Sequence, residues 1–465
     1  MKTKRLQFAV SLILSVIASQ STAAPQNGQV QAGKANISTL KQKTIIQQLS
    51  DRAIVNWQSF SVGSDEQVSF RQPSTTSAIL NRVTGDQTSA ILGRMDANGH
   101  VYLVNPNGIV FGKNAQVNVG SLIASTTNIS NQNFMQNRLV FDQPSALKAT
   151  IINQGSITAA QGGLVALVAP SVSNSGIITA RLGKVVLAAG EKFTVDLYGD
   201  DLISFVVDDK NIEAMVDHSG VIDVQGGQAV LMTANDGKAV LDNVINMSGV
   251  IKADSFAQSD DGSISLMAYG GSANVSGEMT ANASDVGDGG EVIVWADKNT
   301  DFTGNIEARG GTISGDGGFV EVSAKKELDY AGLVDAGATN GKAGTLLLDP
   351  EYLVIGDEEA GLLSYVMRSG TSTSLQADVD ITINSMIDSR GLYAGGGITL
   401  TAGNDININN YIITNNGAVN LIATGGAVTV ADGYGVFAGT APIQVIQNDS
   451  ITDYAYITSG SLLLR

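Results

Sequence analysis

Ser219–Gly220–Val221–Ile222–Asp223–Val224 is answered by Ser248–Gly249–Val250–Ile251–Lys252–Ala253, and then by Ser276–Gly277–Glu278–Met279–Thr280–Ala281. Thr303–Gly304–Asn305–Ile306–Glu307–Ala308 and Ala331–Gly332–Leu333–Val334–Asp335–Ala336 continue the series, so the glycines at 220, 249, 277, 304 and 332 stand 27 to 29 residues apart. A fixed period of this size marks a repeat architecture in which each unit buries its apolar face only against its neighbours. Inside each unit apolar and polar residues alternate with period two, as half-buried strands do. Helical repeats of similar length would need a 3.6-residue periodicity, which is missing. A second element follows within the period: Gly226–Gly227–Gln228–Ala229–Val230–Leu231–Met232, Gly289–Gly290–Glu291–Val292–Ile293–Val294 and Gly317–Gly318–Phe319–Val320–Glu321–Val322. Gly155–Ser156–Ile157–Thr158–Ala159 and Gly162–Gly163–Leu164–Val165–Ala166–Leu167 show the same order earlier. The pattern predicts an all-β fold, a right-handed parallel β-helix (solenoid), with one coil per period and Gly-rich corners between short strands.

In such a solenoid Val, Ile, Leu and Ala stack on their counterparts one coil away, and glycine takes corners where the backbone is crowded. Asn404, Asn407, Asn409 and Asn410 suit corners and can form amide ladders along the axis. The ends are the only exposed sheet edges, so an N-terminal cap is expected from residues before about Thr44, with irregular hairpins between Asn56 and Gly99. Residues 195–217 break the pattern, and their runs Asp196–Asp201 and Val206–Asp209 predict extruded β-hairpins or a longer coil. A second break at Thr345–Asn384 opens with Leu346–Leu347–Leu348–Asp349–Pro350 and contains a short helix over Glu358–Met367. Repeats resume at Gly396–Gly397–Ile398–Thr399–Leu400 and at Gly417–Ala418–Val419–Asn420–Leu421. The chain stops in mid-pattern at Ser461–Leu462–Leu463–Leu464–Arg465, which predicts the front portion of a larger product or a truncated gene.

The composition agrees: 53 glycines, 7 prolines and 5% aromatic residues among abundant β-branched ones. A net charge of −17 argues against nucleic acid and anionic lipid as partners. Lys2, Lys4 and Arg5, the apolar run Leu6–Ala18 and the small residues Ser21–Thr22–Ala23 read as a secretory signal peptide over residues 1–23. That run is too short to span a bilayer, and no other is long enough.

Catalytic groups are sparse. Cysteine is absent, which removes thiolate chemistry, and the two histidines, His100 and His218, stand in no zinc-type spacing. His100 reads as structural. Asp200–Asp201, Asp208–Asp209 and Asp260–Asp261 read as solvated loop acids, against a calcium site or a glycosidase carboxylate pair. Gly287–Asp288–Gly289–Gly290 and Gly315–Asp316–Gly317–Gly318 are corners by repeat position, and no phosphate-binding loop occurs. Arg71 and Arg82 are expected to pair with acids of the cap, or to meet a partner. No enzyme, metal or cofactor is expected.

One stretch departs from the repeats. In Leu103–Val104–Asn105–Pro106–Asn107–Gly108–Ile109–Val110–Phe111–Gly112 the central tetrad is a turn: Pro106 presets φ, and Asn107 or Gly108 supplies a positive φ. It follows Asn56–Trp57–Gln58–Ser59–Phe60, Phe70–Arg71–Gln72–Pro73 and Ile79–Leu80–Asn81–Arg82–Val83, and precedes Val117–Asn118–Val119–Gly120–Ser121–Leu122–Ile123–Ala124–Ser125–Thr126. From about residue 30 to 270 this order resembles the amino-terminal secretion domain of filamentous-haemagglutinin-type exoproteins, the passengers of two-partner secretion.

The resemblance implies a chain delivered to the periplasm of a Gram-negative cell by a cleaved signal peptide. An outer-membrane barrel transporter with periplasmic recognition domains would then export it to the surface or medium, its coils folding one on another outside. The lack of cysteine fits passage through a narrow pore, and equally fits ordinary bacterial composition. In the family the Asn-Pro-Asn motif is important for secretion. Here that motif is Asn105, Pro106, Asn107, Gly108 and Ile109, which either touch the transporter or shape the domain, the second being favoured. No Asn-Pro-Asn-Leu tetrapeptide occurs, which places the chain nearer the high-molecular-weight adhesin branch. The implied downstream role is adhesion to a host-cell receptor or glycan. The competing readings are a contact-dependent toxin stalk, a cytolysin and a β-helix polysaccharide-active enzyme. The expected organisation is a signal peptide at 1–23, the secretion domain at 24–270, further coils at 271–345, an irregular insertion at 346–394 and more coils at 395–465.

Overall fold

The computed structural model describes residues 24–144, 149–195, 203–206, 214–234, 243–255, 262–391, 395–447 and 461–462. Its framework is three long sheets wound into a right-handed parallel β-helix, the hand that crossovers between parallel strands take in nearly all cases. The longest sheet has sixteen strands, from Gln29–Ala32 to Ile443–Gln447. A second has twelve, from Ala35–Leu40 to Leu333–Asp335, and a third has nine, from Ser89–Ile91 to Glu327–Tyr330. One coil runs Val221–Asp223 in the second sheet, Gln228–Ala234 in the longest and Asn243–Met247 in the third. The next coil opens in register, with Val221 beside Val250 and Ile222 beside Ile251.

Register turns the alternation of the sequence into a core. Leu187, Leu231, Leu266, Val294, Val322, Leu348, Leu375, Leu400, Leu421 and Val445 form one inward column through ten coils, each beside the next. All ten are buried, and each such side chain contributes about 1.5–3 kcal/mol of hydrophobic stabilisation. The repeated Ser-Gly pair has a backbone cause. The amides of Ser219 and Gly220 both donate to the Asn174 carbonyl (3.0 and 3.0 Å), and those of Ser248 and Gly249 both donate to that of His218 (2.9 and 3.0 Å). A Cβ on Gly220 would lie 2.1 Å from the Gly176 carbonyl oxygen, so the close approach of coils demands glycine there.

The amino end is capped by two reversed strands. Gln29–Ala32 lies antiparallel on Arg52–Trp57, and Ala35–Leu40 lies antiparallel on Lys43–Gln48. The irregular hairpins expected between Asn56 and Gly99 are not found. Gln67–Arg71, Ala78–Val83 and Arg94–Ala97 pair in parallel as ordinary coil strands. The turn residues between them round corners, while Val68, Phe70 and Ile79 fill the bore.

Extruded strands do occur. Asn128–Ile129, Val140–Gln143, Lys192–Val195 and Ile203–Val206 form a separate antiparallel sheet. Helix α1 (Asn131–Met135) adjoins it, with the Ser130 hydroxyl accepting from the Asn133 amide. Together they cover the outer face of the longest sheet with a second core. Ile54, Leu80, Tyr102, Ile123, Ala166 and Val186 meet Phe134, Phe141 and Phe193 there. Strand Leu164–Ala169 is therefore buried on both faces and reads as a continuous apolar run. Residues 1–23, Asp196–Asp201, Asp208–Asp209 and Asp260–Asp261 lie outside the described residues.

The irregularity expected at 346–394 is corrected in kind. The longest sheet runs on through Thr345–Asp349 and Ser372–Ala377. Helix α2 (Asp357–Arg368) packs on Leu333–Asp335, the last strand of the second sheet, and on Ile387–Asp388, the first of a new one. A helix thus takes the place of one strand in one coil. Asp357, Glu358 and Glu359 stand at its N-terminus, where the helix dipole favours acids, and Leu363, Val366 and Met367 are buried. Of the expected amide ladders, Asn409 Nδ2 donates to Asn384 Oδ1 (3.0 Å), whereas Asn404 Nδ2 donates to Asp380 (2.9 Å).

Candidate functional site

Strand His100–Val104 ends at the corner formed by Asn105, Pro106, Asn107 and Gly108. The Gly108 amide donates to the Asn105 carbonyl (3.1 Å), and the positive φ falls on Gly108 (+102°), not on Asn107. Pro at the second position and Gly at the fourth suit a type I turn. Asn105 adds an Asx turn, its Oδ1 accepting from the Asn107 backbone amide (2.9 Å) and from Asn107 Nδ2 (3.0 Å).

The corner reaches into the coils on both sides. Asn105 Nδ2 donates to the Gln87 carbonyl and the Ser89 hydroxyl, each at 2.9 Å. Asn107 Nδ2 donates to the Gly85 carbonyl (2.8 Å), and Thr88 Oγ1 donates back to the Asn107 carbonyl (2.9 Å). On the other side the Asn105 amide donates to the Ser125 carbonyl (3.0 Å). Ile109 lies between Ser89 and Ile151 in the third sheet. A Cβ on Gly108 would stand 2.9 Å from the Thr150 carbonyl oxygen. Asn105, Gly108 and Ile109 are buried, Asn105 completely, while Pro106 and Asn107 keep part of their surface in solvent. The five residues form a clasp between neighbouring coils.

Other groups singled out in the sequence lie apart from this clasp. The sequence predicts acids of the cap, or a partner, beside Arg82. Instead Nε donates to Asn128 Oδ1 (2.8 Å), Nη1 to Asn131 Oδ1 (2.8 Å) and Asn56 Oδ1 (3.3 Å), and Nη2 to the Ile129 carbonyl (2.7 Å). It ties the extruded sheet and α1 to the solenoid, and burial lowers its pKa. Arg71 ends its strand exposed, and its carbonyl accepts from Gln47 Nε2 (3.4 Å). His100 lines a groove of about 470 Å³ with Asn98, Gln161, Lys184 and Gln228. Its pKa is lowered, first by burial and then by Arg52. His218 lies in another sheet, so the two histidines are not brought together. Among the described residues no group of three His, Asp or Glu could hold a metal ion.

Sequence reasoning missed buried amides elsewhere in the amino-terminal coils. Asn81 Oδ1 accepts from Trp57 Nε1 (3.1 Å), and Gln72 Nε2 donates to Gln48 Oε1 (3.1 Å). A polar residue at an inward strand position was the available signal.

A capped β-solenoid with an extruded sheet over its amino-terminal coils, clasped at an Asn-Pro-Asn-Gly corner, is the architecture of a secretion domain. Residues 20–281 match the family model of the TPS (two-partner secretion) secretion domain, and the chain belongs to that family. It is a passenger exoprotein of two-partner secretion, a system whose proteins are secreted across the outer membrane of Gram-negative bacteria. A heme/hemopexin-binding protein of Haemophilus influenzae strain Rd is 36% identical over 206 residues, which are 43% of this chain and 22% of the relative. Another Haemophilus influenzae heme/hemopexin-binding protein is 27% identical over 291 residues, covering 56% and 30%. The chain thus spans under a third of the length of these curated relatives. The crystal structure of the HMW1 secretion domain from Haemophilus influenzae is similar with a TM-score of 0.65 at 25% identity, over 88% of this chain and all of that one.

Proposed function

We propose that residues 24–270 are read by the periplasmic domains of a cognate outer-membrane barrel transporter, and that the coils beyond carry a binding function at the cell surface or in the medium. Residues 1–23 serve as the cleaved signal peptide. Coils 271–345, the α2-containing segment 346–394 and coils 395–465 extend the solenoid outward. Asn105, Pro106, Asn107, Gly108 and Ile109 support export by shaping the domain. The carrying observation is that Asn105 is fully buried, with its side-chain partners in its own corner and in the adjoining corner at 85–89. Such a residue has no free hydrogen-bonding surface for a transporter to read.

That two relatives are heme/hemopexin-binding proteins supports a binding role, with a ligand of that kind or a host-cell receptor or glycan as the target and adhesion as the outcome. On this reading the chain acts by binding rather than by catalysis. Expression with and without the barrel transporter, followed by immunoblots of medium and periplasm, tests the export claim. Transporter-dependent release that is lost in Asn105→Ala supports it. Release that ignores both changes overturns it.

A further inference from the structure

In the bore of the solenoid three polar side chains of the third sheet meet in consecutive coils. Asn153, Asn174 and His218 are register partners, each fully buried, between Phe111 on one side and Met247 on the other. Asn153 Nδ2 donates to Asn174 Oδ1 (2.7 Å), and Asn174 Nδ2 stands 3.1 Å from His218 Nδ1. His218 Nε2 stands 3.3 Å from the Val250 carbonyl oxygen.

Backbone groups determine the direction of this chain. The Gly155 amide can only donate, and it donates to Asn153 Oδ1 (3.1 Å). Asn153 must then present its NH2 to Asn174 Oδ1, and Asn174 must present its NH2 to the imidazole. His218 therefore accepts at Nδ1 and carries its proton on Nε2, facing a carbonyl that can only accept. Both ends are anchored, so one tautomer satisfies every member.

We propose that the Asn153–Asn174–His218 column is a proton-sensitive latch, which holds neighbouring coils in register across the excursion bearing the extruded hairpin and is released when His218 takes up a proton. Asn174 and His218 are 44 residues apart, and Lys192–Val195 and Ile203–Val206 lie between them. A stacking error over this longest gap would strand buried amides without partners. A proton added from solvent at Nδ1 sets an N–H against the Asn174 NH2. Turning the Asn174 amide moves the clash to Asn153, and turning that one moves it to the Gly155 amide, which cannot invert. No rearrangement restores all the bonds.

The titratable side chains of the packed elements face elsewhere. Asp217 alternates outward and accepts from Ser173 (3.5 Å), Asp223 pairs with Arg181 (3.6 Å), and Lys252 is exposed. Strands Ser171–Asn174 and Asn243–Met247 have no titratable side chain. Burial, the largest cause, lowers the pKa of His218. The folded state thus favours the neutral ring, and stability is complete above the unfolded pKa of about 6.5 and falls as pH drops below it.

The test is urea unfolding of the full chain at pH 7.5, 6.5 and 5.5. Beyond the carboxylate background, the wild type should lose up to about tenfold in folding equilibrium constant per pH unit below 6.5. His100→Gln, which removes the other histidine whose pKa burial lowers, should leave a slope that His218→Asn added in the same background removes. Asn174→Asp, which sets a carboxylate beside Nδ1, should abolish or reverse it. A readout on the wild type needs no variant: hydrogen exchange of peptides covering 214–224 should lose protection at a higher pH than peptides covering 300–308. Equal slopes with and without His218→Asn in that background, or simultaneous loss of protection in the two peptides, would overturn the proposal.

Discussion

Asn105→Ala separates shaping from contact at the export motif. The substitution deletes four side-chain hydrogen bonds: to the Gln87 carbonyl, to Ser89 Oγ, and from Asn107 N and Nδ2. Each is worth about 1 kcal/mol net, and a buried group left unpaired costs about 1–3 kcal/mol. Gln87 is exposed and Asn107 half-buried, so water recovers part of the loss, whereas Ser89 is completely buried. The expected destabilisation is about 2–4 kcal/mol. Coils in a solenoid couple mainly to their neighbours, so the loss should concentrate in the amino-terminal coils. Urea unfolding read by Trp57 fluorescence, in a Trp295→Phe background, reports those coils, because Trp57 is buried and bonded to Asn81. Asn107→Ala removes only two side-chain bonds at a half-exposed site and should cost about 1 kcal/mol. Export should fall in the same order as stability. If Asn105→Ala shifts unfolding by less than about 0.5 kcal/mol while abolishing export, the shaping argument is wrong and the motif is read directly.

Three further outcomes follow from the same geometry. Gly108→Ala forces a Cβ to within 2.9 Å of the Thr150 oxygen at φ +102° and should cost about 1–3 kcal/mol, read as a lowered Tm. Arg82→Ala cuts the bonds to Asn56, Asn128, Asn131 and Ile129, and should speed proteolysis within 128–143 while leaving far-ultraviolet circular dichroism nearly unchanged. Burial, then Asp378 and Glu321, raise the pKa of Asp349. The folded state therefore holds that proton more tightly than the unfolded chain, and stability falls as pH rises through the carboxylate range. Asp349→Asn should raise the Tm at pH 7, and the gain should vanish in acid; a gain that persists below the unfolded pKa would exclude this cause.

The solenoid was legible because its signals are local. A glycine every 27 to 29 residues and strict alternation between glycines specify strands, corners and the inward set Ile222, Ile251, Met279, Ile306 and Val334 without reference to anything distant. The Asn105–Ile109 turn was legible for the same reason, since Pro and Gly restrict their own backbone. The stretch 56–99 was misread because Pro73 and Gly85 look alike at a hairpin and at a coil corner. Only the direction of the paired strand tells these apart. For Arg82 the sequence points to acids of the cap or to a partner because charge is visible there, while Asn56, Asn128 and Asn131 gather around it only after the extruded sheet folds back.

By itself, then, the sequence determined the strand period, the inward face and the turn chemistry, all properties of neighbouring residues. Which coil lies against which was decided by the tertiary structure. Asn153, Asn174 and His218 are separated by 21 and 44 residues, and unequal loops conceal their common register. Their alignment, like the reach of Asn105 and Asn107 into the corner at 85–89, exists only once backbone pairing between coils has set the stack.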